Sequence, residues 1–159
     1  MHPTAQKVAD AAQALGLDIR VTEFEASTRT AEDAANAIGC SVGQIVKSLL
    51  FVVRNQPTLV LVSGDNRLDE KKLAALCGAG RKQVKRGDAD TARQATGFAI
   101  GGVPPFGHAT SLPVYIDTDL QQFDVIWAAA GTPNAVFEIT PQALIQATHG
   151  TVANVKLES

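Results

Sequence analysis

The chain has 159 residues, a length that suits one domain built around one core. Hydrophobic residues make up 45% and charged residues 19% of the sequence, and the mean hydropathy is +0.05, so the composition excludes a largely disordered chain. The formal net charge of −2 and the isoelectric point near 5.9 argue against a dedicated nucleic-acid binder with a basic surface.

Helical spacing of apolar residues predicts two helices near the start of the chain. The first follows Pro3 and ends at Gly16, and the second covers residues 31–38 between a Thr30 cap and Gly39. Between them, residues 19–25 alternate apolar and polar side chains and predict a half-buried strand. Residues 41–46 predict a short helical turn that leads into the next strand.

Two apolar runs predict the centre of a sheet. Residues 48–53 and 58–63 suit strands that are covered on both faces, and the short connection between them predicts a hairpin. Helical patterns follow over residues 68–76 and 89–95. Strands are then predicted at 114–117, 125–130 and 135–139, a helix over 141–147 with a Thr140 cap, and a short strand within 152–157.

This order of elements has no strict alternation of strands and helices, no internal repeat and no linker. It predicts a mixed α+β fold and a single domain over residues 1–159. The first residues lack a basic segment before an apolar run, and no apolar stretch of about 18 residues occurs, so we expect a cytoplasmic protein with no membrane contact. Cys40 and Cys77 lack metal-ligand spacing and are expected to be free thiols.

Lys47 lies between two apolar pairs, Ile45–Val46 and Leu49–Leu50, which hold its ammonium at the boundary of the core. One interpretation is structural, with the stem on the core and the charge in water. The other is functional, with the cation directed at a substrate carbonyl or phosphate.

The segment from Gly101 to His108, GGVPPFGH, is rich in glycine and proline. Glycine permits positive φ, whereas proline fixes φ and lacks an N–H, so this loop has a stiff and unusual backbone. Its backbone groups could bind a ligand or a developing oxyanion, or the loop could be a simple bend. His108 is likewise either an acid, base or hydrogen-bond donor, or a structural residue.

Five segments of the sequence stand out together: STRTA at 27–31, QIVKSLLF at 44–51, VSGD at 62–65, GFAIGGVPPFGH at 97–108 and AGTPN at 130–134. In order and spacing they resemble the YbaK/ProX family. This family is similar to the editing insertion domain of bacterial prolyl-tRNA synthetases, and the resemblance covers nearly the whole chain. It implies a compact domain with a curved mixed β-sheet flanked by helices, and deacylation of mischarged tRNA.

The resemblance also implies the site. Lys47 matches the active-site lysine of the family, and Gly101 and Pro105 match its G-x-x-x-P loop. Further contacts are expected at neighbouring matched positions, which are Thr30, Ser48, Gly102, Val103, His108, Gly131 and Thr132. No cofactor or metal is implied.

An aminoacyl ester is already activated, so positioning and charge can be sufficient for its hydrolysis. Lys47 would bind the terminal adenosine phosphate or the ester carbonyl. Backbone groups at Gly101 and Gly102 would orient the ester or stabilise the oxyanion. Water, or the neighbouring ribose hydroxyl of the substrate, would be the nucleophile.

Val136 bears on the substrate. In an ungapped alignment it stands where cysteine-editing members of the family carry an acidic residue. This difference disfavours cysteine and predicts alanine or another small amino acid attached to proline tRNA. The expected partners are therefore the acceptor end of mischarged tRNA and a prolyl-tRNA synthetase.

Two other functions remain open from the sequence. The same fold could serve as a noncatalytic module that binds tRNA or a synthetase, or Lys47 could form a Schiff base with a small carbonyl substrate.

The sequence also contains a basic cluster, which comprises Arg81, Lys82, Lys85 and Arg86, preceded by Lys71 and Lys72. This cluster is either a solvated face or a contact for tRNA.

Overall fold

A computed structural model describes residues 1–26, 28 and 30–158. Ser27 and Arg29, which belong to one of the five family segments, lie outside the described residues. The helices are α1 Pro3–Ala14, α2 Ala31–Ile38, α3 Glu70–Leu76, α4 Ala89–Thr96 and α5 Pro141–Thr148. The strands are β1 Val21–Glu23, β2 Val46–Val53, β3 Gln56–Ser63, β4 Val84–Arg86, β5 Val114–Asp117, β6 Ile126–Ala129, β7 Ala135–Ile139 and β8 Thr151–Ala153.

The strands form two sheets. A mixed sheet of five strands has the order β4-β2-β3-β5-β8, with antiparallel pairs around β2 and parallel pairs around β5. An antiparallel sheet of three strands has the order β1-β7-β6. A parallel bridge between Ile45 and Trp127 connects the start of β2 to β6. The predicted α+β class is confirmed, with the strands divided between two sheets that meet at this bridge.

The β2–β3 hairpin is the central pair of the five-stranded sheet, and its prediction is confirmed. Val53 pairs with Gln56, so Arg54 and Asn55 alone form the turn, with φ values of 50° and 67°. Turns of this length favour positive φ because it matches the twist of the two strands. The strand begins at Val46, so Lys47 is its second residue and does not precede it.

Side-chain caps determine where several helices begin. Thr30 Oγ1 accepts a hydrogen bond from Asp33 N at 3.0 Å, and Thr140 Oγ1 accepts one from Ala143 N at 3.2 Å, as predicted. Helix α3 begins later than residue 68 because Asp69 is its N-cap, with Oδ1 accepting from Lys71 N at 2.9 Å. None of the described helices is long and apolar enough to cross a membrane.

Three strand predictions differ from the structure. The first strand covers residues 21–23 and not 19–25, and the last covers 151–153 and not 152–157. Strand β4 was absent from the prediction because Val84 is its only buried residue, and one apolar side chain between charged ones sets no period. It forms because residues 84–86 pair with residues 51–53 of β2 at the sheet edge.

Apolar side chains cover both faces of the five-stranded sheet. Leu59 and Leu61 of β3 belong to the main core, which the three-stranded sheet, α1 and α5 also enclose. Val60 and Val62 point the opposite way into a second core below α3. Complete burial of such a side chain stabilises the folded state by about 1.5–3 kcal/mol. The well-buried hairpin therefore gives Lys47 and the other residues of β2 a rigid support.

Candidate active site

A cleft of about 380 Å³ lies where the two sheets meet. Strand β2 forms one wall with residues 46–49, and β6 and β7 form the opposite wall with residues 127–129, 135 and 136. The first turn of α2 and the loop at residues 100–103 form its ends, and further lining comes from Gly64 after β3 and Arg86 of β4. The cleft therefore brings together several parts of the chain that are distant in sequence.

Small apolar side chains make up much of the lining. Five of the lining residues are alanines: Ala31, Ala34, Ala128, Ala129 and Ala135. Larger apolar side chains come from Ile45, Leu49, Trp127 and Val136. The charged lining residues are Glu32, Lys47 and Arg86. The cleft thus has an apolar interior with a few charged groups, as expected of a small-ligand site.

The ammonium of Lys47 is held in place by a buried polar network. Lys47 Nζ donates a hydrogen bond to the backbone O of Asn66. The Nδ2 of Asn66 donates to Asp117 Oδ2 and to Asp119 Oδ2, both at 2.8 Å. Asp117 is 1% exposed and also accepts a hydrogen bond from Ser63 N at 3.1 Å. This carboxylate fixes Asn66, and Asn66 in turn orients Lys47.

Burial lowers the pKa of the Lys47 ammonium below its ordinary value. The carboxylates of Glu32, Asp117 and Asp65 oppose this effect, whereas the guanidinium of Arg67 adds to the lowering. Lys47 is thus a partly desolvated cation within a mostly acidic field.

Ser48 also lines the cleft and has an unusual hydroxyl. Its Oγ is buried, and among the described residues it has no hydrogen-bond partner. Such a group costs about 1–3 kcal/mol relative to a satisfied one, so few persist without a reason. We expect a ligand in the cleft to supply the partner that this hydroxyl lacks.

Gly101 and Gly102 have different positions. Gly101 lines the cleft with φ of 95°, a value that an L side chain rarely adopts. Gly102 is buried behind it, and its N–H donates to Ala99 O at 3.0 Å, so this N–H is not directed at an oxyanion in the cleft. A Cβ on Gly102 would lie 2.7 Å from the carbonyl carbon of Gly131. Gly102 therefore allows its loop to pack against the backbone of Gly131, whereas a Cβ on Gly131 itself would meet Thr4 and Val8 of α1.

The remaining loop residues divide between the cleft and its support. Val103 is buried and lines the cleft, whereas Pro105 is buried outside the lining. His108 also lies outside the lining, and its Nε2 is 2.7 Å from Pro104 O. Burial lowers the pKa of His108, while the hydrogen bond to Pro104 opposes that effect. This histidine holds the loop and faces away from the cleft.

Threonines define one end of the cleft. Thr30 and Thr132 line it as predicted. Thr28 lines it too, and its Oγ1 donates to Pro133 O at 2.8 Å. This bond ties the segment before α2 to the loop between β6 and β7. Gly131 itself contributes to that loop and is absent from the lining.

Several lining residues were not predicted as site residues. Glu32 was interpreted only as an acid favourable to the helix dipole, and Trp127 only as a strand residue. Arg86 belonged to the basic cluster, but its place in the cleft depends on β4, which the pattern does not reveal. The single apolar residue Val84 sets no period, so the sequence gives no local signal for this strand.

No group of three or more His, Cys, Asp or Glu side chains suited to a metal occurs among the described residues. Both Cys40 and Cys77 are free and half-buried.

Comparison with known proteins assigns the chain and its fold to a family. The profile of the aminoacyl-tRNA editing domain matches residues 25–147. The chain belongs to this family. The matched range of the editing domain contains every lining residue of the cleft, and the resemblance to the YbaK/ProX family is confirmed.

Three relatives of this editing domain are informative. YwhH of Bacillus subtilis, an uncharacterized protein, is 38% identical over 125 residues, which are 78% of each chain. EbsC of Enterococcus faecalis, named as a proposed Cys-tRNA(Pro)/Cys-tRNA(Cys) deacylase, is 31% identical over 79% of this chain and 76% of its own. A crystal structure described as a proposed trans-editing enzyme for prolyl tRNA synthetase has a TM-score of 0.94 and 46% identity, with 99% of both chains covered.

Proposed function

We propose that this protein is a trans-editing hydrolase that removes alanine, or another small noncognate amino acid, from proline tRNA. The observation that carries the proposal is the cleft, which combines a fixed lysine with walls made largely of methyl groups in an editing-domain fold. The aminoacyl group would enter this cleft, and the remainder of the tRNA would stay outside.

The proposed reaction is hydrolysis of the aminoacyl ester. A water oxygen bonds to the ester carbonyl carbon, the bond from that carbon to the ribose oxygen breaks, and a proton from water ends on the ribose oxygen. Lys47 and the backbone around Gly101 would hold the ester and stabilise negative charge on its carbonyl oxygen. The ammonium is already oriented by Asn66 and needs no large rearrangement to do so.

Substrate selection is proposed to depend on the apolar end of the cleft. Val136 is 5% exposed and presents an aliphatic side chain to the lining, next to Ala135. An apolar wall offers no partner to a polar or charged substrate side chain, which favours alanine. A pocket of this kind separates substrates that differ by one methylene by only about 1–3 kcal/mol. We therefore expect some activity on other small amino acids.

The name of the solved relative supports a partnership with prolyl-tRNA synthetase, and we propose that synthetase as the source of the mischarged tRNA. The site of action would then be the cytoplasm, where tRNA is charged.

The test is hydrolysis of proline tRNA carrying alanyl, cysteinyl, seryl or prolyl groups. Wild-type protein should remove alanine fastest and spare proline, and Lys47→Ala should lower kcat/KM for alanyl-tRNA by about 100-fold or more, as loss of one oxyanion-stabilising group does. Lys7→Ala is the matched control because Lys7 is exposed on α1, away from the cleft.

The outcomes distinguish the candidate functions. Full activity of Lys47→Ala would refute the role of the lysine. Failure of the wild-type protein to hydrolyse any of the four substrates would favour a noncatalytic binding module. Preferred release of cysteine would retain editing but refute the argument from Val136.

A further inference from the structure

Arg86 reaches the cleft from the edge of the five-stranded sheet. Its strand, β4, is the terminal strand of that sheet, and Arg86 is paired in register with Phe51 of β2. Side chains alternate along a strand, so Lys47, Leu49 and Phe51 share one face of β2. Residues directly opposite each other in an antiparallel pair also share a face. Arg86 and Lys47 therefore point to the same side, and both line the cleft.

The guanidinium of Arg86 lies over an aromatic ring of the neighbouring strand. Its carbon lies 5.5 Å from the centre of the Phe51 ring, which is buried. Contact of this kind uses the flat face of the guanidinium and leaves the N–H groups at its edge able to donate. The salt bridges among the described residues join Lys72 to Glu158 and Arg81 to Glu70, and neither includes Arg86.

The charged side chains of the lining differ in their surroundings. Glu32 raises the pKa of the Lys47 ammonium, whereas Arg86 has no salt-bridge partner among the described residues. Arg86 is the third charged lining residue. Two of the three charged lining side chains are therefore cationic although the formal net charge of the chain is −2, and an exposed cation beside a cleft attracts an anion.

Lys47 is poorly placed to bind a phosphate. Its Nζ already donates to Asn66 O, and the carboxylates of Glu32, Asp117 and Asp65 act on it. A phosphate that approached this ammonium would also approach those carboxylates and be repelled. A neutral ester carbonyl would meet no such repulsion. An arginine fork suits a phosphate better, because two parallel N–H groups can donate to two phosphate oxygens.

We propose that Arg86 binds a backbone phosphate at the acceptor end of the tRNA, whereas Lys47 serves the ester alone. This inference rests on the proposed deacylase function and divides the substrate between the two cations of the cleft. It also gives Arg86 a role that the other residues of the basic cluster do not share. Arg81 is engaged by Glu70 at 3.2 Å, and Lys85, the residue before Arg86, points to the opposite face of β4.

The experiment compares two substrates that share an alanyl ester. One is alanyl-tRNA, and the other is 3′-O-alanyl-adenosine, which has no phosphate. Arg86→Ala should lower kcat/KM for alanyl-tRNA by about 10- to 100-fold, the usual range for loss of one charged hydrogen bond. It should change kcat/KM for alanyl-adenosine by less than about 2-fold, since substitutions outside a contact have small effects.

Two further variants complete the comparison. Arg86→Lys keeps the charge and should recover part of the lost activity on tRNA. Arg93→Ala removes an exposed arginine of α4 outside the cleft and should leave both substrates unaffected. The dependence of log kcat/KM on log salt should become shallower by about one phosphate contact in Arg86→Ala only. Thermal melting verifies that each variant is folded.

Equal loss on both substrates, or no loss on either, would refute the phosphate contact. If the wild-type protein hydrolyses neither substrate, the deacylase function fails, and binding of an uncharged acceptor-stem oligonucleotide then decides the role of Arg86. Weaker binding by Arg86→Ala, with Arg93→Ala unchanged, would still support the contact; equal binding by all three proteins would refute it.

Discussion

At the scale of single residues, we expect the hydroxyl of Ser48 to contribute to deacylation but not to the stability of the fold. Because its buried Oγ has no partner among the described residues, Ser48→Ala should leave the free energy of unfolding unchanged or raise it by up to about 1 kcal/mol. The same substitution should lower kcat/KM for deacylation by about 10-fold, the value of one neutral hydrogen bond to substrate. Urea denaturation and steady-state kinetics measure the two effects.

Ser63→Ala is the matched control on the neighbouring strand. Ser63 pairs with Val46 in the sheet, and its Oγ donates a hydrogen bond to Gly43 O at 2.7 Å. Its loss should therefore cost about 1–2 kcal/mol of stability. Similar destabilisation by Ser48→Ala, with unchanged deacylation, would mean that Ser48 has a structural partner.

The charged residues around Lys47 predict that two substitutions will shift the pH dependence of deacylation in opposite directions. The proposed role requires the ammonium, so enzyme-dependent deacylation should fall as pH rises through the pKa of Lys47. Glu32 raises that pKa and Arg67 lowers it. Glu32→Gln should therefore move the fall to lower pH, and Arg67→Gln should move it to higher pH. Rates corrected for spontaneous ester hydrolysis give the profiles.

Both substitutions affect exposed residues, so the protein should remain folded. Shifts in the same direction, or no shift in either variant, would show that another group controls the high-pH limb.

At the scale of elements, the approach of two loops gives a sharp prediction. Gly102→Ala would place a Cβ 2.7 Å from the carbonyl carbon and oxygen of Gly131, and backbone atoms cannot yield as a flexible side chain does. We expect a loss of about 1–3 kcal/mol in the free energy of unfolding from overpacking. Deacylation should also fall, because Gly101 and Val103 on the same loop line the cleft.

Gly80→Ala serves as the control, since its added Cβ would have its nearest neighbour at 3.7 Å and its φ of −81° suits alanine. Denaturation curves of the two variants should differ clearly. Coincident curves would show that the loops separate freely and that their contact does not support the cleft.

Elements with local signals were the ones that the sequence could predict. Helix α2 has a cap, first-turn acids and a final glycine within a few residues, and the β2–β3 hairpin has two long apolar runs. Strand β4 has neither, since its conformation depends on pairing with β2. For the same reason Arg86 could be placed in a basic cluster but not in the cleft.

At the scale of the whole molecule, the candidate site depends on how the two sheets meet. Family resemblance identified Lys47 and the loop at Gly101, because their segments are distinctive. The opposite wall could not be predicted, since Trp127 and the lining alanines have the composition of ordinary core strands. The bridge from Ile45 to Trp127 brings the two sheets together, and this long-range contact places Trp127 and the alanines beside the cleft.

The alanines of the cleft have a consequence for how this protein can change over evolutionary time. A methyl group can be enlarged or removed by a single codon change, and five such groups border the same space. Each exchange would reshape the space from one side, at a cost in packing where the alanine is buried, as Ala128 and Ala135 are. The fold therefore has short mutational routes from one amino-acid preference to another, while Lys47 and its supporting network stay as they are.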